Sequence, residues 1–186
     1  MRVIGGAFKG KKLLLPSDKN TRPLRDLVKE SIFNLIQHSN KINIDIKNSL
    51  VLDLFSGTGS FGIECLSREA KKVVFLENYP QAFKILEKNL KSLKNLNNYE
   101  IIKDDCFNFF ESTKVNNYKF DIIFIDPPYK ELMINKIIEK IILENFISNN
   151  GIMIIHRHKK DLIKLTSKMS IFEERIYGIS KIYFGN

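Results

Sequence analysis

From Leu50 to Ile155 the chain alternates short, unbroken apolar runs with segments whose apolar residues recur at helical spacing. The runs Leu50–Leu52, Val73–Leu76, Tyr99–Ile102, Ile122–Ile125 and Ile152–Ile155 are too short for helices. They also lack the in-out alternation of a strand with one wet face, so they read as strands buried on both sides. Helical patterning fills the gaps at 60–68, 80–94, 106–112 and 131–145. Strands apolar on both faces, each followed by a helix, require a parallel sheet covered above and below. Two further extended segments, 170–176 and 179–184, are joined at Tyr177-Gly178 with no room for a helix, so they pair antiparallel as a hairpin. The expected fold is α/β, with a seven-stranded, mostly parallel sheet. The turn signal Asn149-Asn150-Gly151 is expected to precede the fifth strand. Upstream, residues 2–5 and 11–15 read as a β-hairpin bent at Gly5-Gly6 and Gly10. A helix is expected from near Thr21, with Pro23 in its first turn and Leu24, Leu27, Val28, Ser31, Ile32 and Leu35 on its apolar face. The chain thus divides into an N-terminal extension, 1–40, and an α/β domain, 41–186.

The first strand runs into Asp53-Leu54-Phe55-Ser56-Gly57-Thr58-Gly59-Ser60-Phe61-Gly62. Gly57, Gly59 and Gly62 form the glycine spacing of a dinucleotide loop, and Glu77 follows at the end of the second strand, where it can accept from ribose hydroxyls. Asp53 argues against a dinucleotide. A carboxylate at the strand's carboxyl end repels a pyrophosphate and attracts an ammonium and a sulfonium. S-adenosylmethionine carries both, and a ribose. Asp53, Phe55, Ser56, Gly57, Gly59 and Glu77 are therefore the candidate contacts for that cofactor. Asp104-Asp105-Cys106 follows the third strand at the same crevice. Asp105 is the choice for the adenine amino group, with Cys106 beside it. Cys106 is not read as a nucleophile, because no proline-cysteine motif accompanies it.

The fourth strand ends in Asp126-Pro127-Pro128-Tyr129. Two prolines cannot continue a strand and make a stiff loop. Its chemistry suits an amine on an aromatic ring, whose lone pair is delocalised and poorly nucleophilic. The Asp126 carboxylate and the Pro127 carbonyl can orient such an amine and favour its pyramidal form. Tyr129 can stack on the base, a contact worth about 1–3 kcal/mol. The base must be flipped or unpaired to reach the cofactor.

The net charge of +9 is unevenly spread: residues 1–30 hold eight cations and three anions. A clustered basic segment attracts a polyanion, and Arg2, Lys9, Lys11, Lys12, Arg22 and Arg25 are the candidate RNA contacts. With only Cys65 and Cys106, no metal-ligand spacing is present, so no metal is expected and both thiols read as reduced. No apolar run reaches the roughly 18 residues of a membrane span, and the opening residues do not read as a signal peptide, so a cytoplasmic protein is expected, with a monomer as the expected state.

The order Thr21-Arg22-Pro23, the Asp53–Gly62 loop, Glu77, Asp105 and Asp126–Tyr129 resembles the bacterial RsmD-type methyltransferases, as does the opening Arg2-Val3-Ile4-Gly5-Gly6 with Lys9-Gly10-Lys11. The likeness runs from Met1 to about Phe184. It implies the class I, Rossmann-like methyltransferase fold. It also implies S-adenosylmethionine as cofactor and methylation of a guanine N2 amine in small-subunit (16S) ribosomal RNA, within an assembled or assembling subunit. It places Asp53, Gly57, Gly59, Glu77 and Asp105 at the cofactor, Asp126, Pro127 and Tyr129 at the amine, and the hairpin with Thr21–Arg25 toward RNA. One departure stands out. Where the family usually has an acid after the fifth strand, this chain has His156-Arg157-His158, and both histidines read as surface residues. Competing readings are a DNA adenine-N6 or protein glutamine methyltransferase, and a non-enzymatic RNA-binding assembly factor.

Overall fold

The computed structural model describes residues 1–17, 24–111, 118–128, 133–161 and 164–186. The order is α1 (Asp26–His38), β1 (Leu50–Leu54), α2 (Ser60–Ser67), β2 (Lys72–Leu76), α3 (Pro80–Lys91), β3 (Tyr99–Ile102), α4 (Cys106–Glu111), β4 (Phe120–Ile125), α5 (Ile134–Leu143), β5 (Ile147–His158), β6 (Ile171–Tyr177) and β7 (Ser180–Gly185). The strands form one sheet in the order β3-β2-β1-β4-β5-β7-β6. The first five are parallel, and β7 lies antiparallel between β5 and β6. Strand order reverses at β1/β4, so the crevice for a ligand opens beyond the carboxyl ends of those strands. This is the class I methyltransferase fold.

Alternate strand residues feed two cores. Val51, Val73, Phe75, Ile122, Phe124 and Ile154 face α1, α2 and α3, whereas Leu52, Leu54, Val74, Leu76, Ile123 and Ile155 face α4 and α5. Phe61 of α2 stacks on Phe124 of β4 at 4.1 Å and on Phe33 of α1 at 5.2 Å, which ties three layers together.

Three sequence expectations change in detail. The N-terminal hairpin reduces to a single antiparallel bridge, Arg2 with Lys12, supported by Val3 N–H donating to the Lys11 carbonyl and Leu13 N–H to that of Met1. In α1, Leu27 points to solvent and Lys29 takes a place in the core. Asn149-Asn150-Gly151 does not break β5. Phe120 pairs with Ile147 and Ile122 with Ile152, so the turn-prone residues form a bulge inside a longer strand.

α2 is buried along its whole length, with the sheet on one side and residues 1–8 on the other. Glu64 accepts from the N–H groups of Ile4 and Gly5 at 2.8 and 2.7 Å. Ser67 donates to the Gly5 carbonyl and accepts from Phe8 N–H. Lys29 Nζ donates to the Arg2 carbonyl at 2.7 Å and lies 3.6 Å from Glu64 Oε2. Burial, against the pull of Glu64, lowers the Lys29 pKa below the ordinary lysine value. The extension is thus pinned by a buried polar network. Among the described residues no helix is long and apolar enough to cross a membrane, and no group of His, Cys, Asp and Glu side chains could hold a metal ion.

Candidate active site

Gly59 caps α2 in the left-handed region, with φ +82°, and a Cβ there would lie 2.5 Å from the Leu86 side chain. Gly62 is a packing position: a Cβ would meet the Phe75 ring at 2.3 Å, so α2 can approach β2 only without a side chain there. Between strand and helix, Phe55 adopts φ +66°, an uncommon conformation for a bulky residue. Ser56 donates through Oγ to the Asp53 carbonyl at 2.6 Å and through N–H to Leu76 O at 2.9 Å, which stitches the loop to the ends of β1 and β2.

Asp53 is buried, and its carboxylate accepts the Gly62 N–H at 2.9 Å. Burial holds its carboxyl well above the usual range; the Gly62 amide opposes this, and the charges of Asp126 and Glu77 add to it. Glu77 accepts from Gly57 N–H at 2.6 Å and from Tyr79 N–H at 2.7 Å. Burial raises its pKa against those amides. Burial makes the charge on each of these acids costly, and an ammonium or hydroxyl donor at the same crevice would offset that cost, so the donor set suits S-adenosylmethionine and disfavours a diphosphate. Asp105 caps α4, accepting the Phe107 N–H at 2.8 Å, while Asp104 accepts from Asp105 N–H and the Asn108 amide. Cys106 is buried as the first residue of α4.

Asp126 stands just past β4, and Pro127 behind it is buried. Sequence reasoning missed its partner. His156 is 9% exposed, not a surface residue: its Nδ1 lies 2.8 Å from Asp126 Oδ1 and its Nε2 2.9 Å from Ser180 Oγ. The signal was available. Ile125 pairs with Ile155, so the next residue of each strand must be a neighbour across the sheet. His158, in contrast, lies nearer the surface and accepts the Lys160 N–H.

Arg2, Lys9, Lys11, Lys12 and Arg25 are all exposed. Arg2 and Lys12 share the bridge, and Arg2 pairs with Asp26 at 3.6 Å beside Arg25. Lys11 donates to the Ser92 carbonyl, just past the C-terminal end of α3, at 3.2 Å. Arg22 and Tyr129 lie outside the described residues.

Comparison with known proteins agrees with this architecture. The chain is 33% identical to ribosomal RNA small subunit methyltransferase D of Buchnera aphidicola, over 97% of this chain and 90% of that protein. It is 32% identical to the protein of the same name from Haemophilus influenzae, over 96% and 90%. The solved structure of the yhhF protein of Escherichia coli superposes with a TM-score of 0.81 at 24% identity, covering 100% of this chain and 96% of that one. A family model described as conserved hypothetical protein 95 matches residues 1–186. The chain belongs to that family, the RsmD-type methyltransferases.

Proposed function

We propose that this protein transfers a methyl group from S-adenosylmethionine to the N2 amine of a guanine in small-subunit (16S) ribosomal RNA, acting as a cytoplasmic monomer on an assembled or assembling subunit. The observation that carries the reading is the row of acids at the carboxyl ends of three adjacent strands: Glu77 after β2, Asp53 in β1 and Asp126 after β4. The names of the Buchnera and Haemophilus relatives support the choice of ribosomal RNA.

The cofactor, when bound, supplies an electrophilic methyl on a sulfonium. Asp53 and Glu77 hold its cationic and ribose ends, with Phe55, Ser56, Gly57 and Gly59 lining the loop and Asp105 and Cys106 near the adenine. Asp126 and the Pro127 carbonyl accept the two N–H bonds of the guanine amine and point its lone pair at the methyl carbon; Tyr129 stacks on the base. A bound cofactor would supply its methyl carbon to the amine nitrogen, the carbon–sulfur bonding pair would stay with sulfur, and the proton lost from nitrogen would pass to the carboxylate oxygen of Asp126 that faces the amine. Asp126 stabilises the positive charge that grows on nitrogen, so catalysis is positioning plus electrostatics. Residues 1–40 form the RNA-facing extension, with Arg2, Lys9, Lys11, Lys12, Arg22 and Arg25 toward phosphates, and residues 41–186 the catalytic domain.

The test is transfer from methyl-labelled cofactor to small subunits whose ribosomal RNA lacks the modification, followed by nucleoside analysis. Label in N2-methylguanine is expected. Label on adenine or cytosine, or on protein glutamine, would refute the substrate. Full biological complementation by Asp126→Ala would support an assembly factor without enzymatic activity instead.

A further inference from the structure

The carboxylate assigned to the amine is gripped from behind. One oxygen of Asp126 is engaged by His156 Nδ1, and the far nitrogen of the same ring meets Ser180 at the start of β7. The tautomer follows from the neighbours. A ring lone pair 2.8 Å from a carboxylate oxygen would be repelled, so Nδ1 carries hydrogen and donates to Asp126. Nε2 then accepts the Ser180 hydroxyl in the neutral ring, or donates to its oxygen once a second proton binds. Both states fit the same heavy-atom geometry, so the ring can titrate without moving.

We propose that His156 is a positioning residue whose proton load tunes methyl transfer: Nδ1–H fixes one oxygen of Asp126 and leaves the other for the amine, and loss of the proton on Nε2 makes that carboxylate a stronger partner for the charge developing on nitrogen. The inference rests on the amine-methylation reading given above. The sign comes from counting charge. With imidazolium the Asp126–His156 pair is neutral toward the amine; with imidazole it carries one negative charge. The transition state gains positive charge on nitrogen, so the anionic pair stabilises it better. The rate therefore rises with pH as His156 loses its second proton.

The surroundings set where this happens. Burial works against the charged ring, but the Asp126 carboxylate prevails and lifts the His156 pKa above the ordinary imidazole value. Across β4 the facing acid is Asp126, with Asp53 of β1 beyond it. On β7 the neighbours are Ser180 and Ile182, both without charge, and Lys181 is paired with Glu174 at 2.9 Å. On its own strand Arg157 disfavours the second proton, and His158 lies two residues on. Asp126 is thus the only anion that directly touches the ring among the described residues.

Two measurements test this. The first needs no substrate: nitrogen and proton NMR of the His156 ring through a pH titration. Asp126→Asn is expected to lower the pH at which His156 titrates, and an unchanged titration would overturn the pairing. The second is single-turnover methylation of small subunits lacking the modification, from about pH 6 to about pH 9. The wild type is expected to show an acid limb. His156→Ala is expected to lose about 10- to 100-fold on the plateau, as misplaced reacting groups do. His156→Asn, which keeps an N–H at the Nδ1 position but cannot titrate, is expected to recover most of that loss with the acid limb gone. An acid limb that persists in His156→Asn, or an unaltered rate in His156→Ala, would overturn the role. Wild-type protein that leaves guanine unlabelled would overturn the methylation reading and the role built on it, and the NMR result would then stand alone as a measure of the pair.

Discussion

The two halves of the acid row are held in different ways. On the β1–β2 side, Asp53 and Glu77 are fixed by backbone N–H groups of Gly62, Gly57 and Tyr79. On the β4–β5 side, Asp126 is fixed by a side chain, His156, itself backed by Ser180. Backbone amides hold a constant charge, so the first half is a fixed cradle. An imidazole changes charge near neutrality, so the second half can be adjusted. On the function proposed above, this would separate binding from chemistry along one sheet edge: constant donors behind the acids assigned to the cofactor, a titratable one behind the acid assigned to the amine.

The largest break in this comparison is expected from Asp126→Ala. Single-turnover methylation should fall by about 10²–10⁴-fold, while cofactor affinity by calorimetry stays near that of the wild type. Glu77→Ala should do the reverse. Losing hydrogen bonds from a charged acceptor costs about 1.5–3 kcal/mol, which is about 10- to 150-fold in cofactor Kd, with the rate at saturating cofactor largely kept. Asp53→Asn sharpens the contrast through stability. Because burial raises the folded pKa of Asp53, the folded state holds its proton more tightly than the unfolded chain, and stability falls as pH rises from the unfolded carboxyl value through the folded one. Asn keeps an acceptor for Gly62 N–H and has no charge. The variant should melt a few degrees higher than the wild type at neutral pH, with a flatter pH dependence, and bind cofactor less well. Smallest is Arg22→Glu with Arg25→Glu, which should weaken RNA binding and lower the salt slope by roughly one per lost phosphate contact, without moving cofactor affinity.

The same contrast explains what could be read in the sequence. The strand runs, the glycine spacing and Glu77 were legible because backbone-held features are local: a loop needs glycines at fixed intervals, and a buried parallel strand needs unbroken apolar residues. The antiparallel end of the sheet was legible from the short Tyr177-Gly178 link. Features set by partners distant in the chain were not. Asn149-Asn150-Gly151 carries a turn signature, yet pairing with β4 on both flanks keeps it inside β5 as a bulge. Lys29 and Glu64 carry no local signal of burial, but the N-terminal segment covers α2 and buries both. Breaking such a pair by removing one partner costs about 3–5 kcal/mol. His156 looked like a surface residue because its strand appeared to end at Ile155; β7 extends β5 to His158 and encloses the ring.

The central claim is that Asp126 presents a guanine amine to the cofactor. Its most direct test is mass spectrometry of 16S ribosomal RNA nucleosides from cells deleted for this gene, complemented with wild type or with Asp126→Ala. The account predicts that N2-methylguanosine at one site disappears on deletion, returns with the wild type and stays absent with Asp126→Ala. An unchanged nucleoside profile on deletion, or full return of the modification with Asp126→Ala, would contradict it.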